Sequence, residues 1–337
     1  MKRFYCQCGQ EIFFDNTRCT ACGKLLGFLP ETQNLYSLTA QGSVWSCDRV
    51  SERLFRLCGH HDHAINCNWL IEANSAEQQC LSCRLTRTIP MQNRPANVRR
   101  WVVLESAKRR MIYGLLRLKL LPIKRKPLSE NGLFFDFLED QRGNPDVAEA
   151  HVYSGHSHGV ITMNVAEADS SYREAIRESM NEPYRTLLGH FRHEIGHYYF
   201  EQWMADSSYH VRFRDMFGDD GQDYQLALQH YYANGAASGW QEFYISSYAS
   251  SHPLEDWAET WAHYMLMVET IETAIAFRLV PVLQTANDFD LLIKKWMQLV
   301  IVLNALNRST GNADAYPFVI SSRVRNKLEF IHSLMGV

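Results

Sequence analysis

Long apolar runs are missing from this 337-residue chain. No stretch approaches the roughly 20 consecutive apolar residues that a bilayer-spanning helix needs, which excludes a membrane-embedded role. Low-complexity tracts are missing too, and no internal repeat is evident beyond paired cysteine knuckles. The first residues, Met1-Lys2-Arg3-Phe4-Tyr5-Cys6, carry no apolar h-region and no cleavage site, so a cytoplasmic protein is expected. Acidic residues are nearly absent from positions 94 to 126, where eleven Lys or Arg accompany the single Glu105. What is present, a hydrophobic fraction of 46% and a net charge of -3, describes a globular chain with ample core material.

Cysteine is plentiful, nine in all, and eight of them fall in knuckle-like spacings. Cys6-Gln7-Cys8-Gly9 and Cys19-Thr20-Ala21-Cys22-Gly23 form two thiolate knuckles, each closed by a glycine, as a tetrahedral four-cysteine zinc ribbon requires. The first knuckle is tighter, with one intervening residue instead of two. Cys58, Cys67, Cys80 and Cys83 supply a second ribbon, with His60, His61 and His63 crowding the same segment and leaving a mixed Cys/His ligand set open. Cys47 is left over. Four thiolates leave zinc no open position, so both ribbons are expected to be structural, and a reducing cytosol suits them better than crosslinks. Such small modules bury too little apolar surface to fold alone, so metal supplies much of their stability.

His193-Glu194-Ile195-Gly196-His197 carries a different chemistry. On an α-helix, positions i and i+4 lie one turn apart on one face, so both imidazoles reach one metal ion with Glu194 beside them. Zinc lowers the pKa of a bound water to about 7, and a carboxylate within reach takes the proton as that water attacks a carbonyl. Leu187, Leu188, Phe191, Ile195 and Tyr199 keep helical spacing behind Pro183, which predicts a long core-packed helix over 183 to 204. Burying two His and a Glu there without a metal would be costly.

A hydrolytic zinc site takes three protein ligands and one exchangeable water, so the third ligand comes from elsewhere. Tyr248 to Met265 provides it: Pro253 suits a helix start, and Trp257, Trp261, Tyr264 and Met265 follow at helical spacing. Glu255 and Glu259 are one turn apart, so one can bind zinc while the other hydrogen-bonds a ligand imidazole. Asp256 is a third candidate, and spacing leaves all three open.

Two His on one helix followed by a Glu on a second resembles the gluzincin metallopeptidases. Within them, Glu255-Asp256-Trp257-Ala258-Glu259-Thr260-Trp261 is similar to the glutamate helix of the anthrax lethal factor and Pro-Pro endopeptidase group. That resemblance implies His193, His197 and Glu255 as ligands, Glu194 as general base, Tyr248 as a phenol that stabilises the oxyanion, and Glu259 as the partner of a ligand imidazole. The chain also resembles, nearly end to end, a bacterial family of zinc-binding metallopeptidases that begin with zinc ribbons. The residues that carry this are Asn66-Cys67-Asn68-Trp69, Asn164-Val165-Ala166-Glu167-Ala168-Asp169, Glu182-Pro183-Tyr184-Arg185-Thr186, the zinc helix, and His252 to Glu259. It implies a zinc-dependent peptidase acting on a peptide or protein, and identifies no target.

The expected architecture is α+β: a gluzincin-like catalytic domain with a small sheet and a mostly helical C-terminal half, preceded by four-cysteine zinc ribbons. Its parts are a zinc ribbon at 1–30, a second ribbon-like module at 31–90, a basic helical connector at 91–130 and the peptidase domain at 131–337. Residues 133 to 138 and 159 to 165 read as strands, and 169–180, 183–204, 222–233, 253–277, 286–307 and 317–335 as helices. By the gluzincin resemblance the 159 to 165 strand is a sheet edge to which an extended peptide could add. The basic segment interleaves Trp101, Leu104, Met111, Ile112 and Leu115 at helical spacing, so one face is core; its other face allows a rival function in which ribbons and helix grip nucleic acid. A non-catalytic adaptor that binds a protein partner through its ribbons and hydrolysis of a non-peptide amide are further alternatives. Gly155-His156-Ser157-His158-Gly159 reads as a turn, His190 and His263 as hydrogen-bonded core histidines, and Asp169 as a helix cap.

Overall fold

A computed structural model describes residues 1–50, 52–121, 132–180, 182–204, 208–281 and 288–335. The chain divides into two compact units, Lys2–Tyr172 and a second that runs from Arg173 onward together with Met1.

In the first unit, β1 (Phe4–Tyr5) and β2 (Glu11–Ile12) form a two-stranded ribbon. Five strands then pair in chain order as an antiparallel sheet: β3 (Leu26–Leu29), β4 (Asn34–Gln41), β5 (Val44–Cys47), β6 (Leu54–Leu57) and β7 (Leu70–Glu72). Leu29, Tyr36, Leu38, Phe55 and Leu70 make its core, joined by Cys47, the cysteine without a knuckle. The second ribbon-like module is therefore more sheet than its cysteine spacing announced.

After β8 (Thr86–Thr88) comes the basic helix α1 (Pro95–Arg117), which starts with proline in its first turn, where no N–H is missed. Trp101, Leu104, Met111, Ile112 and Leu115 are buried, as the periodicity predicts. Three of its cations have acidic partners inside the unit: Arg100 with Asp169 at 2.6 Å, Lys108 with Glu105 at 2.9 Å in full burial, and Arg110 with Asp15 at 2.5 Å. Asp169, expected to cap a helix, thus lends its carboxylate to Arg100. Positions 122 to 126 of the basic segment lie outside the described residues.

A second sheet joins β8 to β9 (Phe134–Leu138), β10 (Gly155–Ser157) and β11 (Val160–Asn164) in the order β10-β11-β9-β8. Here one expectation is corrected. β11 pairs in parallel with β9 on one side and antiparallel with β10 on the other, so residues 159 to 165 are not an edge. The reason is the hairpin turn at His158 and Gly159, with φ of +47° and +82°, and the His156 imidazole accepting the Gly159 N–H at 3.1 Å. Those histidines serve the turn.

Helix α2 (Ser170–Ser179) carries the chain across the division. Beyond it lie α3 (Leu187–Met204), α4 (Ser208–Phe217), α5 (Tyr224–Asn234), α6 (Pro253–Ala276), α7 (Phe289–Ser309) and α8 (Ser322–Leu334), with no strand among the described residues. The α+β class with a mostly helical C-terminal half holds. Helix α3 begins four residues later than Pro183 suggests, because the Thr186 hydroxyl accepts the Gly189 N–H at 3.0 Å and caps it. Helix α4 was not anticipated; it buries only Phe213 and Phe217. α7 and α8 start at the capping side chains of Asp288 and Ser321.

α3 and α6 pack closely, and the contact is aromatic. Tyr199 stacks on Trp261 with ring centroids 5.0 Å apart, and the Trp257 indole N–H donates to the Gly196 carbonyl at 2.9 Å. A Cβ on Gly196 would lie 3.1 Å from Ala258 Cα and from Trp261 Cγ, tighter than an ordinary van der Waals contact, so glycine suits this close approach. The approach brings the two carboxylates of α6 to the two imidazoles of α3.

Candidate metal centre

The ribbons gather their cysteines as the spacing predicts. Cys6, Cys8, Cys19 and Cys22 form one cluster, and Cys58, Cys67, Cys80 and Cys83 another. Sulfur separations are 3.5 Å for Cys6 and Cys22, 3.7 Å for Cys8 and Cys19, and 3.7 Å for Cys67 and Cys80. Zinc at about 2.3 Å from each sulfur sets them roughly 3.8 Å apart, far from the ~2.05 Å of a disulfide. Gly9 and Gly23, with φ of +89° and +72°, close the first two knuckles through N–H bonds to the Cys6 and Cys19 carbonyls. Burial raises the Cys6 thiol, but the Cys8 N–H and the Ser37 hydroxyl outweigh it and hold it down at about 6. The second set is all cysteine. His60 packs its ring 5.5 Å from that of Trp101, and His61 donates from Nδ1 to the Cys67 carbonyl at 3.1 Å. Cys47 stands apart, its thiol pushed up to about 12 by burial and then by Asp48.

A third group lies wholly in the helical unit. The ligand atoms of His193, His197 and Glu255 all fall within 4.8 Å of one another. His193 Nε2 is 3.2 Å from His197 Nε2 and 3.0 Å from Glu255 Oε2, and His197 Nε2 is 3.4 Å from Glu255 Oε1. On the far side of the His193 ring, Nδ1 donates to Glu259 Oε1 at 2.8 Å, while Glu259 Oε2 accepts from the Ser246 hydroxyl at 2.6 Å. That bond fixes the tautomer and turns the Nε2 lone pair toward the other ligands. Asp256 faces elsewhere: it is fully buried against Lys327 Nζ and the Thr260 hydroxyl. Of the three rival carboxylates, Glu255 is the one set against both imidazoles.

The donor set fits a cation. Glu194 Oε2 and Glu255 Oε2 are buried oxygens with no hydrogen bond among the described residues, a costly condition for carboxylates unless something positive satisfies them. Burial raises the Glu194 carboxyl, but a hydrogen bond from His190 and the neighbouring imidazoles bring it below the usual carboxylate range. Burial lowers the His193 imidazole, yet Glu255 and Glu259 together hold it well above the ordinary histidine range. Two nitrogens and one carboxylate are the borderline-soft ligands that zinc takes in sites keeping an open position.

Tyr248 is half-buried, with its ring 6.0 Å from that of His193 and 5.7 Å from that of Tyr231. Burial, and next the charge of Glu255, push its phenol well above the ordinary tyrosine range. Another phenol touches a ligand carboxylate. Tyr224, at the start of α5, donates to Glu255 Oε1 at 2.6 Å, and no spacing pattern pointed to it because 31 residues separate the pair. His190, expected as a hydrogen-bonded core histidine, has its Nε2 3.1 Å from Glu194 Oε1, one turn on. His263, as expected, is a core histidine, with Nδ1 at 2.9 Å from the Tyr316 hydroxyl.

Comparison with known proteins follows the same lines. A family described as "Putative zinc-binding metallo-peptidase" matches residues 97–334, and a zinc-ribbon domain matches residues 3–94. Proteins of Mycobacterium tuberculosis and Mycobacterium bovis, both named as uncharacterised, are 40% identical over 344 residues, covering 99% of this chain and 95% of the relative. No solved structure matches. With one match spanning both cysteine clusters and the other spanning His193, His197 and Glu255, the chain belongs to the family described as putative zinc-binding metallo-peptidases and carries an N-terminal zinc-ribbon domain.

Proposed function

We propose that this protein is a zinc-dependent peptidase of gluzincin type, hydrolysing peptide bonds with Glu194 as general base. The observation that carries the reading is Glu194 Oε2: a buried carboxylate oxygen with no hydrogen bond among the described residues, next in sequence to His193 of the metal-binding group. His193, His197 and Glu255 would hold the ion. Zinc, when bound, supplies a Lewis acid for the scissile carbonyl and makes water acidic enough to lose a proton near neutrality. Glu194 accepts that proton at Oε2 and returns it to the leaving amine. Glu259 keeps the His193 ring oriented throughout, and Tyr248 is the phenol that donates to the developing oxyanion.

The two cysteine clusters take one structural zinc each, so the full complement is three ions per chain. Thiolates stay reduced in the cytosol, which is where we place the protein. None of its described helices is long and apolar enough to cross a membrane.

Glu194→Gln keeps the size and hydrogen-bonding shape of the side chain and removes the base. We expect that variant to keep its zinc and to lose cleavage of a diverse peptide library, read by mass spectrometry, by at least roughly 10²-fold. Cleavage by the variant at the wild-type rate would sink the proposal.

A further inference from the structure

We infer that His190 is a positioning residue for Glu194, clamping one carboxylate oxygen so that the other is presented to the proton being moved. This inference rests on the peptidase reading above. His190 and Glu194 sit one turn apart on the same face of α3, and His190 Nε2 lies 3.1 Å from Glu194 Oε1. A carboxylate can only accept, so Nε2 carries the hydrogen of that bond.

The two oxygens of Glu194 are thereby made unequal. Oε1 is occupied by an imidazole N–H, whereas Oε2 is buried with no hydrogen bond among the described residues. A proton arriving at this group therefore goes to Oε2, and the side chain cannot swing its other oxygen into that place without breaking the clamp. Glutamate has three rotatable bonds, and a general base must sit within hydrogen-bond reach of the proton it takes. The helix solves this locally. His193 turns its own outer nitrogen to Glu259 at 2.8 Å, so His190 and His193 are tied to different carboxylates, one to the base and one to the partner of a ligand imidazole.

Three full-length, zinc-loaded proteins test it: wild type, His190→Leu and His190→Gln. On a peptide that the wild type cleaves, His190→Leu should lower kcat by roughly 10–100-fold, the usual effect of losing a partner that orients a group at a metal site. KM and zinc affinity, measured by chelator competition, should stay where they are. His190→Gln, which can still donate an N–H from one turn away, should recover most of the loss. A merely structural histidine would move all three quantities together and show no rescue. Unchanged kcat in His190→Leu overturns the inference. Imidazole 15N NMR decides the pairing without turnover: the Nε2-protonated form of His190 should be seen, and its signal should move in Glu194→Gln. The Nδ1-protonated form, or an unmoved signal, also overturns it. A wild type that cleaves no peptide counts against the peptidase reading alone, because the NMR measurement still decides the clamp.

Discussion

Among single residues, Gly196 has the widest consequences. It lies between Ile195 and His197 in the metal-binding run, where its lack of a side chain lets α6 approach until Ala258 Cα and Trp261 Cγ would lie 3.1 Å from an added Cβ. Gly196→Ala keeps the helix and indeed favours it intrinsically. It nevertheless forces α3 and α6 apart by a few tenths of an ångström, and overpacking of this kind costs roughly 1–3 kcal/mol. Because Glu255 rides on α6 and the imidazoles on α3, zinc affinity should fall together with stability. A thermal melt and a chelator competition on the same protein check this, and an alanine variant binding zinc like wild type would refute the coupling. The His pair and Glu194 were legible in the sequence because their spacing is internal to one helix, whereas His190 read only as a hydrogen-bonded core histidine, without Glu194 as its partner. Glu255 needed a second helix, and the choice between it, Asp256 and Glu259 needed tertiary structure. Tyr224 could not be read at all: its partner is distant in sequence, and no local pattern marks a phenol that will reach a carboxylate.

At the scale of elements, periodicity located most helices of the second unit, and capping side chains set where they begin. Thr186, Asp288 and Ser321 override the earlier starts that proline and apolar spacing suggested. Helix α4 escaped because it buries just Phe213 and Phe217, too few positions to display a period. The β3 to β7 sheet escaped for another reason: its strands share a segment with the second set of knuckle cysteines, and metal spacing dominated the reading. One contact between elements was hidden in a motif. Asp256, a rival zinc ligand by position, instead binds Lys327 of α8, with side-chain exposures of 0% and 7%. Removing the cation alone leaves a buried carboxylate uncompensated, so Lys327→Met should destabilise the protein by roughly 3–5 kcal/mol. Adding Asp256→Asn should recover part of that loss, as urea unfolding of the single and double variants would reveal. A harmless single substitution would mean the pair is solvated in solution.

For the molecule as a whole, the division of labour between its two units was only partly readable. Composition and cysteine spacing announced the ribbons and the helical half; the small mixed sheet that shares a unit with the ribbons depends on parallel pairing between β8, β9 and β11, which no local pattern specifies. Global stability should depend on pH through a histidine that touches no metal ligand. His263 is buried on α6, its ring centroid 4.4 Å from that of Phe318 and its Nδ1 bonded to Tyr316. Burial lowers its pKa from the ordinary 6.5 to about 4, with Glu259 opposing and Arg192 assisting. Above 6.5 the imidazole is neutral in folded and unfolded chains alike, and its contribution is complete. As pH falls from 6.5 toward 4, the unfolded chain takes up a proton that the folded chain refuses, so stability declines, by roughly 3 kcal/mol at most. Below about 4 both forms are protonated and this group adds no further slope. His263→Gln can still pair with Tyr316 but does not titrate. The difference in unfolding free energy between wild type and His263→Gln, followed across that window, should therefore shrink the wild-type advantage as acid is added; a difference that stays constant with pH would show that His263 protonates as freely in the folded protein as in the unfolded chain.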